Sequence, residues 1–159
     1  MNIHIRNGRL IDPANRLDAQ LDLFIADGKI VGVGNAPDGF AATRTINAGG
    51  LVVAPGLIDL AARLREPGFE YRATLESEMD AAMAGGVTSL AIPPDTDPAL
   101  DEPGLVEMLC YRAKKLNRAH VYPIGALTIG LKGEQLSEMA ELIEAGCVAF
   151  SQANTPIVD

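Results

Sequence analysis

The sequence predicts an α/β fold: a short opening portion of β-strands, then strands alternating with helices to build a parallel sheet. Two observations carry this. Over the first fifty residues, short apolar or alternating runs are separated by Asn7-Gly8, Asp27-Gly28 and Asn47-Ala48-Gly49-Gly50, the turn chemistry of short strands. From Leu51 onward the pattern changes to apolar strand, helix and strand, repeated along the rest of the chain.

In the opening portion, strands are expected at Ile3–Ile5, Asp22–Ala26, Lys29–Val33 and Ala42–Ile46, with Asp27-Gly28 closing a hairpin between the middle two. Leu51–Leu60 reads as the first strand of the parallel sheet. Ala73–Ala84 has helical spacing and stops at Gly85-Gly86. Val87–Ile92 is strand-like, and Glu102–Leu116 is a helix with Pro103 tolerated in its first turn. Val121–Leu127 follows as a strand, Gly133–Ala145 as a helix closed by Gly146, and Cys147–Phe150 as a fourth strand. Such βαβ units put the residues just past each strand on one shared rim, where α/β folds carry their sites. Residues 1–51 are therefore assigned to the β portion, and 52–159 to the first four strands of a parallel β/α barrel, incomplete in this chain. A (β/α)8 TIM-type barrel closes with eight strands in about 250 residues. The chain thus reads as an N-terminal piece of a longer protein, and its open sheet edges are expected to associate into an oligomer.

With 159 residues, 48% of them apolar, the chain can bury an ordinary core. A net charge of −8 argues against nucleic acid or an anionic membrane as partner, because no basic patch is large enough to neutralise several phosphates. The densest cationic stretch, Arg112 to Arg118, falls at the end of an expected helix, where cations complement the dipole. No apolar run approaches the roughly 18 residues of a membrane span. Cys110 and Cys147 lack metal-type spacing and read as buried thiols of a reducing compartment, so the expected location is cytoplasmic. Gly32-x-Gly34 leads into Asn-Ala-Pro rather than a helix and is no dinucleotide site.

Five stretches in order, "IRNGRLIDPANRLDAQLDLFIADGKIVGVG", "VVAPGLIDL", "LREPGFE", "GVTSLAIPPDTDP" and "VYPIGALTIGLKGEQLSEMAELIEAGCVAFS", resemble the N-terminal part of a dihydroorotase of the amidohydrolase superfamily. The resemblance implies a small β-sandwich beside a (β/α)8 barrel with one or two zinc ions at the strand C-termini. It also implies an Asp-x-His-x-His-x-Arg motif ending the first barrel strand, whose histidines hold metal and whose arginine holds the substrate carboxylate.

Here that motif reads Asp59-Leu60-Ala61-Ala62-Arg63-Leu64-Arg65. Ala61 has no donor atom and Arg63 is a permanent cation. A guanidinium about 4 Å from a dication would be repelled by several kcal/mol even at an effective dielectric near 20. After the fourth strand, where relatives carry acidic residues, the chain has Gln152-Ala153. The loop that resembles the family's Met-Pro-Asn-Thr reads Pro93-Pro94-Asp95-Thr96, which sets an anion where a neutral amide faces an anionic substrate. Ala61, Arg63, Gln152 and Ala153 are therefore expected to be degenerate metal-site positions, and Arg65 and Asp95 residual substrate-site positions. Asp59 is expected to be structural, paired with Arg63 or Arg65. His4 and His120 are expected to be structural or solvated, and no resident zinc or other cofactor is expected. The resemblance implies a non-catalytic dihydroorotase-like subunit of pyrimidine biosynthesis that supports assembly of aspartate carbamoyltransferase. The alternative is an active dihydroorotase or cyclic-amide amidohydrolase with an atypical metal site.

Overall fold

A computed structural model describes residues 1–157 of the chain. It divides into two compact units, Met1–Pro55 and a second that begins at Gly56. Val158 and Asp159, the end of the 52–159 assignment, lie outside the described residues.

The first unit holds seven short strands: β1 (Ile3–Arg6), β2 (Arg9–Asp12), β3 (Leu17–Gln20), β4 (Leu23–Ala26), β5 (Lys29–Val33), β6 (Arg44–Asn47) and β7 (Val52–Val53). They form a four-stranded sheet in the order β5-β4-β1-β6 and a three-stranded sheet in the order β3-β2-β7. The β4–β5 hairpin turns on Asp27 and Gly28, at φ 49° and 74°, a pair of positive values that the Asp-Gly dipeptide tolerates. β2 and β3 were not expected. Each is only four residues long, and their pairing is reinforced by Arg9, whose Nε and Nη2 each donate to the Asp18 carboxylate at 2.7 Å. Leu10, Leu23 and Phe24 are buried, and residues of both sheets line an apolar cleft of about 160 Å³. His4 is held within this unit: its Nε2 lies 2.8 Å from Asp22 Oδ2, and its ring stacks on Phe24.

The expected single strand Leu51–Leu60 is two strands. Val52–Val53 pairs with β2 in the first unit, while β8 (Leu57–Asp59) opens the sheet of the second. Pro55 interrupts the run because it has no N–H to donate to a ladder. The division therefore falls after Pro55 rather than after residue 51.

In the second unit, β8, β9 (Val87–Ile92), β10 (His120–Ala126) and β11 (Ala149–Ser151) lie side by side in sequence order, every pair parallel. The connections carry α1 (Leu75–Ala84), α2 (Pro103–Leu116) and α3 (Met139–Ala145). Leu75 and Met79 of α1, Leu90 and Ile92 of β9, Val106 and Leu109 of α2, and Leu142 of α3 form one buried core. The third helix is shorter than the expected Gly133–Ala145. Gly133 has φ 77°, Ile129 N–H donates to the Gln135 carbonyl, and Ser137 Oγ donates to the Ala126 carbonyl at 2.6 Å, so 133–137 folds back as a loop.

Two sets of side-chain contacts anchor the helices. Thr74 and Ser77 exchange hydrogen bonds in a capping box at the start of α1. Glu66, 3% exposed, adds to this: its Oε2 accepts from Leu75 N–H at 2.8 Å, and its Oε1 pairs with Arg112 of α2. Cations expected only to complement a helix dipole thus have specific partners, since Arg118 also reaches Asp80 at 2.6 Å. Cys147 is buried beneath α2, and burial, followed by nearby Cys110, pushes its thiol up to about 11.

Glu66→Ala should lower stability by about 1–3 kcal/mol, because the Leu75 amide loses its acceptor and Arg112 its counter-ion. Glu66→Gln, which keeps an acceptor, should cost less; urea unfolding of the two variants checks the order. A thiol held protonated above its usual value near 9 leaves the folded chain binding a proton that the unfolded chain has released. Stability should therefore fall as pH rises from about 9 to about 11, and Cys147→Ala should make that fall shallower in urea midpoints measured across the range.

Candidate functional site

The parallel register brings the C-terminal ends of the four strands to one edge. Asp59 stands beside Leu90, and Ala126 beside Ser151. Residues 60–65, 93–97, 127–128 and 152–153 therefore share a rim, as α/β topology requires.

On the first rim segment burial alternates. Ala62 and Leu64 are buried in the core, while Ala61 is exposed and Arg63 and Arg65 are half-buried. The alternation continues past the end of β8 because Ala62 N–H donates to the Ala91 carbonyl of β9 at 2.9 Å. Asp59 does not pair with either arginine: its Oδ1 accepts from the Ala61 backbone N–H at 2.9 Å, which turns the carboxylate back on its own chain.

Arg63 takes a different partner. Its Nε donates to Asp95 Oδ2 at 2.7 Å, and the two side chains are 34% and 27% exposed. Asp95 is thus the counter-ion of Arg63. The pairing was not legible because the two residues are 32 positions apart and meet only through the β8–β9 register. Arg65, at φ 67°, lines a cleft with Arg63, Leu64, Phe69, Asp95 and Thr96 whose free volume is about 10 Å³, room for about one water.

At the other end of the rim the Gln152 amide lies 2.8 and 3.0 Å, through Nε2 and Oε1, from the hydroxyl of Thr128. Thr128 is buried and its Oγ1 also accepts from Gly133 N–H at 2.9 Å, so it organises the turn after β10. No feature of the sequence around Thr128 marked it. Ala153 has φ 52° and its N–H donates to Ser151 Oγ at 3.0 Å. His120 is exposed at the first residue of β10, the edge of the sheet opposite the rim.

Zinc, which the dihydroorotase resemblance implies, takes thiolate, imidazole or carboxylate ligands. The rim positions offer a methyl group at 61 and 153, an ion-paired guanidinium at 63 and a hydrogen-bonded amide at 152. Of the carboxylates here, Asp59 and Asp95 are already engaged, and Asp97 is exposed. Among the described residues no three His, Cys, Asp or Glu side chains converge. Among the described residues, the side chains of this rim do not fit a zinc ion.

A family described as dihydro-orotase-like matches residues 50–158. The chain is 54% identical over 151 residues to a dihydroorotase-like protein of Pseudomonas aeruginosa, an alignment that covers 95% of this chain and 36% of that protein. It is 44% identical over 159 residues to a dihydroorotase of Pelobacter propionicus, covering 100% of this chain and 38% of that one. The chain thus spans little more than a third of the length of these curated relatives. Among solved structures, the L-hydantoinase (dihydropyrimidinase) of Arthrobacter aurescens superposes with a TM-score of 0.78 at 23% identity, over 93% of this chain and 32% of that one. A dihydroorotase crystal structure superposes with a TM-score of 0.59 at 17% identity, over 94% and 41%. These likenesses agree with a parallel sheet that forms part of an amidohydrolase barrel. With more than half of its length matched by the family, the chain belongs to the dihydroorotase-like proteins of the amidohydrolase superfamily.

Proposed function

We propose that this is a non-catalytic dihydroorotase-like subunit of pyrimidine biosynthesis that supports assembly of aspartate carbamoyltransferase, without resident zinc. The observation that carries the reading is Arg63: a permanent cation, already paired with Asp95, stands where the resemblance implies a zinc-binding histidine. A site that needs about three anionic or imidazole ligands and an open water position gains nothing from it. In this reading the two sheets of the opening unit are the small sandwich, and β8 to β11 are the first half of an eight-stranded barrel. The scaffold is retained for its outer surface, in a cytoplasmic oligomer that contacts neither nucleic acid nor membrane. The net charge of −8 supports the last point.

A catalytic reading has two observations in its favour: Arg65 stands at the rim, and relatives 44% and 45% identical are named dihydroorotase. The two readings separate on turnover. The intact protein, supplied with zinc, should not hydrolyse dihydroorotate above the uncatalysed rate; a turnover abolished by Arg65→Ala would establish the enzyme instead.

The partner is tested by native mass. Mixed at micromolar concentration with the aspartate carbamoyltransferase of the same cell, the intact protein should yield one defined larger species. Two unmixed species would remove the assembly role.

A further inference from the structure

The segment that follows β8 is joined to β9 and the segment after it at three levels. Their backbones meet twice, through Ala62 N–H to the Ala91 carbonyl at 2.9 Å and Asp97 N–H to the Pro67 carbonyl at 3.2 Å. Gly68, at φ 95°, lies so close to the second segment that a Cβ there would fall 2.0 Å from the Asp97 carbonyl oxygen. Between these contacts stands the Arg63–Asp95 pair, a charge-assisted hydrogen bond of 2.7 Å that links the two segments through their side chains. Buried Leu64 and Ile92 flank it, and the cleft beside it holds about one water.

We infer that the Arg63–Asp95 pair is a clasp that holds the loops after β8 and β9 together without any ligand, so that this part of the rim is ordered by the chain's own charges. The physical basis is location. Across open water such a pair would contribute little. Here each partner sits on a segment whose backbone is already tied on either side, so less side-chain and loop freedom remains to be lost when the bond forms. The clasp does not depend on whether the protein turns over a substrate.

Hydrogen exchange at the Asp97 and Ala62 amides, which report the two backbone ties, tests it in the intact protein. Arg63→Met and Asp95→Asn should each speed local exchange there about three- to tenfold, and the double variant should be no faster than the faster single, because the two changes remove one interaction. Single variants that exchange like the wild type, or a double variant whose effect is the product of the two, would overturn the clasp. Should Arg63→Met not fold, the near-isosteric Asp95→Asn decides alone: unchanged exchange at Asp97 refutes the proposal, faster exchange supports it. Wild-type exchange should be the same in millimolar EDTA and in millimolar zinc chloride; protection that appears only with zinc would show that the rim is ordered by a ligand after all.

Discussion

The rim depends on the register of the parallel ladder from β8 to β11. Side chains alternate between faces along a strand, so a slip of one residue would turn Ala62 and Leu64 outward and Arg63 inward. The register is held by the burial of those two residues against the helices and by close packing within the sheet. Gly125 shows how close: a Cβ there would lie 2.8 Å from the ring of Phe150 on the neighbouring strand. Every rim position follows from that alignment, including the meeting of residues as far apart in sequence as Arg63 and Asp95.

What the alignment brings together is a set of groups that satisfy one another. Asp59 serves a backbone amide, Asp95 serves Arg63, and Gln152 serves Thr128. A catalytic rim keeps donors and acceptors directed at a ligand that has yet to arrive, and Arg65 is the rim side chain left in that position. The same economy appears one layer out, where buried Glu66 serves both the first amide of α1 and Arg112 of α2. Under the proposed reading, a rim closed on itself in this way would need no bound metal to stay ordered.

Much of the fold was legible because local chemistry determined it. Asp27-Gly28 marked a hairpin, Gly85-Gly86 marked a helix stop, and Pro103 sits at the first position of α2. Elements that depend on distant partners were not legible. β2 and β3 are four-residue strands with a weak apolar pattern that gain their pairing from each other. The start of α3 is displaced by hydrogen bonds from the turn after β10. At the site, the side-chain chemistry of Ala61, Arg63, Gln152 and Ala153 is a property of each residue alone and is read directly from the sequence. The partners of Asp59 and Asp95 could not, since they depend on which backbone amide or cation the register places within reach.

Zinc content of the intact protein bears most directly on the claim that this rim has given up metal chemistry. The protein would be dialysed against zinc, then against metal-free buffer, and measured by elemental mass spectrometry beside an active dihydroorotase handled identically. A rim closed by Arg63 and Asp95 should retain far less than one zinc per chain while the active enzyme keeps its metal. One or more zinc ions held per chain, and lost on mutation of rim residues, would contradict it.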